Sequence, residues 1–197
     1  MMTALQKSFY TPEQYLALER QASYKSEYVN GGIFAMADAS REHNQIAFNI
    51  AGELHSQLKN RLCLAYVNDM RVKVSATGLY TYPDVAALCG EPQFEDEQMD
   101  TLLNPSIIIE ILSPSTEAYD RGDKFAHYRR LPSLMEYVLI AQDKVRVEHY
   151  IRQDRRWVLT ELGSLDDKLG LVSIQCEIPL REIYAKVDLP VVKHEPR

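Results

Sequence analysis

Three ionisable residues occupy segments in which an ordinary structural role is hard to assign: Asp84, Glu110 and Lys124. Asp84 follows a proline within the strand-like, mostly apolar segment 80–88, so it enters the sheet at its edge or end, where burying a lone carboxylate costs on the order of several kcal/mol. A carboxylate in this position therefore needs a partner. Taken by itself, the pair Pro83-Asp84 is more typical of a turn that precedes a strand.

Glu110 lies within the isoleucine-rich segment 106–112, which is typical of a central strand covered on both faces. Side chains alternate across a strand, so Glu110 shares one face with Ile108 and Leu112. One interpretation is an ion pair with a nearby arginine or lysine. A functional carboxylate is the better interpretation, because buried unpaired carboxylates cluster at functional sites.

Lys124 shares a helical stripe with Tyr128 and Leu131, which follow it at intervals of four and then three residues. That stripe should face the sheet, and a lysine is less ordinary there than on the outer face. The alternative is a lysine whose aliphatic stem packs on the surface while its amine pairs with Asp120.

Together these residue types could perform metal-assisted hydrolysis. The segment 113–115 ends the strand that carries Glu110, so the following helix can return Lys124 to that strand. Two carboxylates on neighbouring strands suit a hard divalent cation such as Mg²⁺ or Mn²⁺. A nearby ammonium group can lower the pKa of the attacking water or offset the charge of a phosphate.

The elements that must position these residues are those of a mixed α/β fold. Capping patterns predict helices that begin after Thr11 and Ser40, and Asn30-Gly31 predicts a hairpin between them. The second helix carries an apolar stripe with four-residue spacing, formed by Ile46, Ile50, Leu54 and Leu58. Further helices are predicted at about 116–131 and 179–184, and strands at 62–67, 70–75, 80–88, 106–112, 135–141, 145–151 and 157–162. This order predicts a central mixed sheet flanked by helices.

The composition predicts one globular domain over residues 1–197, with an ordered core of about 9–188. The chain is 46% apolar and 25% charged, which is ordinary for a soluble protein. No apolar run resembles a secretory signal or a membrane span, so a cytoplasmic location is expected. The net charge of −6 counts against a general nucleic-acid coat but does not exclude a nuclease. Three scattered cysteines are expected to be reduced thiols: Cys63, Cys89 and Cys176.

Several strings of the sequence resemble the Uma-type family of restriction-endonuclease-like proteins, within the PD-(D/E)xK nuclease superfamily. These strings are Pro83-Asp84, the segments 109–116 and 119–125, Glu136-Tyr137, the segment 27–31, and His43. The resemblance covers roughly residues 11–180. It implies a nuclease core and a divalent metal, with Asp84 and Glu110 as metal ligands, Glu27 as a further acid near the metal, and Lys124 as the catalytic lysine.

The sequence departs from the orthodox pattern at Leu112, which stands two residues after the acid where that pattern has lysine. In this respect it resembles variants whose lysine has moved to the next helix. For Glu27, a solvated charge beside Lys25 is an equally good interpretation. His43 could touch the site, although a hydrogen-bonded histidine at the core edge is the simpler interpretation. The candidates for supporting contacts are His43, Asp120 and Tyr128.

The leading hypothesis is a metal-dependent DNA endonuclease that acts as a homodimer, because cleavage of a duplex needs two sites. The first alternative is a catalytically idle module of the same fold that binds nucleic acid or a protein partner. The second is a scaffold in which Glu110 and Lys124 form a structural ion pair.

Overall fold

The computed structural model describes residues 9–36 and 38–189. Residues 1–8 and 190–197, which the expected core leaves out, lie outside this range. The helical elements are α1 (Pro12–Glu19), α2 (Arg41–Leu58), α3 (Glu117–Tyr119), a π-helical turn (Asp120–Lys124), α4 (Phe125–Tyr128), a 3-10 turn (Val172–Ile174) and α5 (Leu180–Ile183). The strands are β1 (Ser26–Val29), β2 (Gly32–Ala35), β3 (Cys63–Val67), β4 (Arg71–Val74), β5 (Leu79–Thr81), β6 (Val85–Cys89), β7 (Thr101–Leu102), β8 (Ile107–Leu112), β9 (Glu136–Ala141), β10 (Val147–Gln153), β11 (Arg156–Leu162), β12 (Lys168–Leu171) and β13 (Cys176–Pro179).

The larger sheet has six strands in the order β11-β10-β9-β8-β6-β3 and carries Glu110 on β8, near its middle. Strand β8 runs parallel to β9 and antiparallel to β6, so the sheet is mixed. Ile107 and Ile109 belong to the core on one face, while Ile108 and Leu112 belong to the core on the other. Both the predicted alternation and the predicted class, a mixed α/β sheet flanked by helices, are confirmed.

Helix α2 covers the first of these faces. Its predicted apolar stripe is buried against β6, β8, β9 and the small sheet formed by β12 and β13. Burial of each aliphatic side chain contributes about 1.5–3 kcal/mol relative to exposure. Ser40 accepts a hydrogen bond from the main-chain N–H of His43, so the helix begins where its cap predicts. This fixed start holds His43 beside the end of the sheet that carries Asp84.

The second face of the large sheet is covered by α4 and by a five-stranded sheet with the order β2-β1-β5-β4-β7. Phe125 stacks on Tyr137, with 4.6 Å between the ring centroids. Lys124, Tyr128 and Leu131 are all buried, which confirms that their stripe faces inward. Glu110 lies in this same layer, so the helical segment returns to β8 as the turn after the strand predicts.

The β1–β2 hairpin turns at Asn30-Gly31, as predicted. Both residues have positive φ angles, 48° and 83°, as a two-residue hairpin turn requires, and glycine adopts such angles without strain. Val29 and Gly32 pair directly beside the turn. Strand β1 then pairs with β5 through Tyr28, so Glu27 lies next to the layer that contains Lys124.

The prediction of one strand at 80–88 is wrong. The chain forms β5 and β6 instead, and these belong to different sheets. Pro83 stands between them and has no N–H to give to a ladder, which favours a break at this point. The break releases Asp84 from regular pairing, and its side chain accepts a hydrogen bond from the N–H of Ile111 at 2.7 Å.

Two further expectations require correction. The short strands β7, β12 and β13, which are only two to four residues long, do not follow from the sequence pattern. That pattern also predicts three free thiols, but Cys63 and Cys89 form a disulfide, and only Cys176 is free in the described residues. The two bonded cysteines are direct partners in the pairing of β3 with β6, a register that their sequence separation does not reveal. Among the helices of residues 9–36 and 38–189, none is long and apolar enough to cross a membrane.

Glu136 shows how a buried acid in this fold serves structure alone. It lies on the face of the large sheet opposite Glu110, 1% exposed, with one oxygen 2.7 Å from His149 Nε2. Its carboxylate also accepts from the N–H groups of Val172 and Ser173, at 3.2 and 2.6 Å. Burial raises the pKa of Glu136, but the contacts with His149 and Ser173 outweigh it and leave the pKa lowered.

We expect Glu136→Gln to lower the free energy of unfolding by about 1–3 kcal/mol at pH 7, because an amide nitrogen would face main-chain donors. The lowered pKa means that the ionised form stabilises the fold above pH 4.5, and that this contribution is lost as the pH falls. Urea unfolding at pH 7 and pH 4 measures the effect, with the exposed Glu97→Gln as the control. A loss as large at pH 4 as at pH 7 would contradict this role for the charge.

Candidate active site

Asp84 is held at the break between β5 and β6 by contacts on two sides. Its carboxylate accepts the hydrogen bond from the Ile111 N–H, and His43 Nε2 lies 3.1 Å from it. The Asp84 side chain is 18% exposed and that of His43 is 13% exposed. His43 is therefore a largely buried, hydrogen-bonded histidine that also contacts Asp84, the residue proposed to bind the metal, so both of its interpretations fit.

Glu110 projects from the middle of β8 into the layer between the sheets and is 3% exposed. The hydroxyl of Tyr128 donates to Oε1 at 2.8 Å, and Lys124 Nζ lies 3.0 Å from the same atom. Both contacts use Oε1. Three predicted residues therefore meet at one carboxylate, supplied by a strand and by the helical segment that follows it.

Lys124 lies at the end of the π-helical turn, a local widening of the helix that is frequent at functional sites. Its amine is within reach of three carboxylates: Glu110 at 3.0 Å, Glu27 at 3.3 Å and Asp120 at 3.4 Å. The side chain is 5% exposed. The amine is thus a shared counterion at the centre of the site. The pairing with Asp120 that the alternative expected is present, but its surface position for the lysine is wrong.

Glu27 reaches the site from the hairpin, so its alternative interpretation as a solvated charge is also wrong. Thr81 donates its hydroxyl to Glu27, which is 13% exposed. The ring of Tyr119 lies on the other side of the amine, with 6.0 Å between Lys124 Nζ and the ring centroid. Thr81 and Tyr119 were missed by the sequence analysis, although each lies within three residues of a predicted site residue, Asp84 or Asp120.

The electrostatics of the site are dominated by buried negative charge. Burial, opposed by Lys124 and reinforced by Asp120 and Asp84, raises the pKa of Glu110 to about 8. Burial also raises the pKa of Asp120, again against the opposing effect of Lys124. For Lys124, burial lowers the pKa, but the surrounding carboxylates outweigh burial and leave it well above its ordinary value.

The acids of this site outnumber its cations, which is the property that a divalent metal would offset. Within the part of the chain that the structure describes, no three His, Cys, Asp or Glu side chains form a ready-made cage for a metal ion. Oxygen donors from Asp84 and Glu110 nevertheless fit a hard cation chemically. The raised pKa of Glu110, caused first by burial and then by Asp120 and Asp84, means that its ionised form is poorly stabilised by the protein groups around it, and a cation would favour that form.

These residues line a cavity of about 950 Å³. It is bounded by the hairpin, the start of α2, the loop after β3, the turn after β8 and the π-helical turn. Of the sequence-predicted residues, the cavity wall includes Glu27, His43, Asp84, Glu110, Asp120 and Lys124. Tyr128 lies behind Glu110, fully buried.

Comparison with known proteins agrees with this architecture. The Uma2 family model, described as "Putative restriction endonuclease", matches residues 12–180. Two uncharacterized proteins of Synechocystis sp. are similar to this chain. The protein sll1609 is 41% identical over 82% of this chain and 92% of its own length. The protein slr1290 is 33% identical over 88% of this chain and 90% of its own length. A crystal structure from Anabaena variabilis, described as a putative nuclease belonging to DUF820, superposes with a TM-score of 0.73 at 20% identity. It covers 87% of this chain and 96% of that one.

Proposed function

Because this chain belongs to the Uma2 family, we propose that it is a divalent-metal-dependent nuclease that hydrolyses phosphodiester bonds in DNA. The proposed catalytic residues are Asp84, Glu110 and Lys124, with Mg²⁺ or Mn²⁺ as the cofactor. A cytoplasmic location, and a homodimer wherever both strands of a duplex are cut, belong to the same proposal.

The observation that carries the proposal is the 3.0 Å contact between Lys124 Nζ and Glu110 Oε1. At the position of the orthodox lysine stands Leu112, 4% exposed and packed in the apolar core. The helical segment brings the amine of Lys124 to Glu110 from another direction. The positive charge that the orthodox pattern would place at position 112 is therefore still present beside the acid. This supports an active site over an idle module of the same fold.

Asp84, just before β6, and Glu110, on β8, would hold the cation through hard carboxylate oxygens. That cation, when bound, would lower the pKa of the attacking water and stabilise negative charge on the phosphate. The contacts of Glu110 with Tyr128 and Lys124 both use Oε1, and the carboxylate would also supply an oxygen donor to the ion. Lys124 is placed to offset the charge that develops on the phosphate oxygens as the bond to the leaving group breaks.

The remaining residues keep these groups in place. His43 orients the carboxylate of Asp84, and Tyr128 orients that of Glu110 through its hydroxyl. Glu27 and Asp120 hold the amine of Lys124 in its charged form. Such positioning matters because a displacement of about 1 Å in a catalytic group can cost about 100-fold in rate.

The test is cleavage of supercoiled plasmid by the purified protein. We expect nicked product with Mg²⁺ or Mn²⁺ and none with EDTA. Asp84→Asn should abolish nicking, while Asp166→Asn, whose side chain is 82% exposed, should leave it unchanged. Equal nicking by all three proteins would indicate a contaminating nuclease and reject the proposal. Mn²⁺ binding measured by calorimetry, without cleavage of DNA or RNA, would favour the idle module instead.

A further inference from the structure

The cavity above the proposed site has little positive charge with which to bind the phosphates of duplex DNA. The described residues that line it carry six carboxylates but only two lysines and no arginine. One of those lysines, Lys25, is already engaged by the carbonyl of Asn68 at 3.0 Å and by Asp69 at 3.1 Å. Proteins that hold duplex DNA by its phosphates use several lysines and arginines to displace condensed counterions. The described residues of this cavity wall do not include such a set of lysines and arginines.

The shape of the cavity also disfavours a duplex. Glu110 and Lys124 are only 3% and 4% exposed, so a scissile phosphate must descend below the surface to reach them. Two residues of the cavity wall are joined by a hydrogen bond from Ser40 Oγ to Gln142 Oε1 at 2.5 Å. A volume of about 950 Å³ is that of a small-molecule pocket. Bringing a single phosphate of a stiff duplex into it costs deformation energy, whereas an unpaired strand enters more readily.

Phe34 supplies the wall with an exposed aromatic surface. It lies on β2 directly opposite Glu27, lines the cavity and is 53% exposed. In the described range its ring stacks on no other aromatic ring and faces no cation, while Tyr82 and Tyr119 each have a lysine over the ring. This exposed aromatic ring, beside an acid that contacts Lys124, can therefore stack with a ligand.

Gly32 holds this ring in place. A Cβ atom at Gly32 would lie 2.8 Å from Cε2 of Phe34 and 3.0 Å from Cζ, closer than side chains pack. The ring of Phe34 therefore lies against the backbone of Gly32, two residues earlier on the same face of the strand. Such support turns a surface phenylalanine into a defined platform.

We propose that this cavity takes an unpaired stretch of nucleic acid, with one base stacked on Phe34 and the adjacent phosphate delivered to Glu110 and Lys124. Base–aromatic stacking adds affinity that does not come from phosphate contacts, and it tolerates any base, because every base has a π face. The inference rests on the proposed function, since it assigns the substrate class of the same site. It predicts preference for single strands over duplexes.

The experiment measures binding and cleavage separately. Fluorescence anisotropy with Ca²⁺ in place of Mg²⁺ gives the Kd of a labelled DNA strand, of the RNA strand of the same sequence, and of the blunt DNA duplex. We expect an unpaired strand to bind at least about 10-fold more tightly than the duplex. Phe34→Ala should weaken single-strand binding by about 5–100-fold, and Phe34→Trp should preserve it.

Two variants separate stacking from general damage. Phe48→Ala removes another exposed phenylalanine, 72% exposed on α2 and outside the cavity wall, and should change nothing. Gly32→Ala keeps Phe34 but displaces its ring, and should weaken binding in the same direction by less. Equal affinity for strand and duplex, or equal effects of Phe34→Ala and Phe48→Ala, would overturn the inference, as would no binding of either oligonucleotide. Tight, Phe34-dependent binding without cleavage in Mg²⁺ or Mn²⁺ would instead reject the proposed hydrolysis and leave the ligand class standing.

Discussion

Lys124→Met is expected to lower the rate of DNA cleavage by at least about 100–1,000-fold, the loss typical when one group that stabilises transition-state charge is removed. Binding of Mn²⁺ should survive, because the carboxylates remain. The rate measured with saturating Mn²⁺ and nucleic acid is the readout. Lys168→Met, which removes an exposed lysine paired with Glu177, is the matched control and should cleave at the normal rate.

The same substitution should also destabilise the metal-free protein. Removing the amine leaves Glu110, Glu27 and Asp120 without their shared counterion, and breaking a buried pair in this way costs about 3–5 kcal/mol. We expect Mn²⁺ to restore much of that stability by taking over the positive charge. Urea unfolding with and without Mn²⁺ therefore shows whether lost cleavage reflects lost chemistry or lost folding.

The double variant Lys124→Met/Glu110→Met tests the scaffold alternative. If the pair serves only structure, apolar side chains of similar size should keep or raise stability, and the metal-binding readout should be unaffected. We expect loss of Mn²⁺ binding instead.

For the single variant, cleavage by Lys124→Met at the wild-type rate would remove the lysine from the mechanism.

The sequence indicated the core of this site because strand and helix periodicity are local properties. The alternation of 106–112 placed Glu110 on the correct face, and the stripe through Tyr128 turned Lys124 inward. Side chains separated by four residues on a helix share a face whatever the rest of the fold does. Because the turn at 113–115 directly follows β8, the helical segment after it packs back beside that strand.

Contacts across the two sheets could not be anticipated in this way. Thr81 reaches Glu27 over 54 positions of sequence, and that contact depends on the pairing of β1 with β5. The split of the predicted strand at Pro83 is what brings β5 to the smaller sheet. The pairing of Cys63 with Cys89 is likewise a matter of register, which local patterns leave open.

Glu110→Gln is expected to abolish tight metal binding while stabilising the metal-free protein in alkaline solution. The amide can still accept the hydrogen bond from Tyr128 but offers no carboxylate to an ion. We expect the Mn²⁺ affinity measured by calorimetry to fall by at least about 100-fold. Glu97→Gln, at an exposed position outside the cavity wall, should bind Mn²⁺ normally.

The stability change follows from the direction of the pKa shift. The pKa of Glu110 is raised from 4.5 to about 8, so the folded protein keeps a proton that the unfolded chain has already lost. In EDTA the wild-type protein should therefore lose up to a few kcal/mol of stability as the pH rises from about 4.5 to about 8. Glu110→Gln removes that slope and should exceed the wild type in stability at pH 8.5 but not at pH 5.

The two readouts together separate a metal site from a structural pair. A carboxylate retained only for its ion pair with Lys124 should stabilise the fold most when ionised, so its loss would lower stability in alkaline solution. A carboxylate retained for a cation is instead unfavourable in the metal-free fold and is neutralised when the ion binds. If Glu110→Gln unfolds more readily at pH 8.5 and binds Mn²⁺ as tightly as the wild type, Glu110 is structural and the proposed hydrolase loses its second ligand.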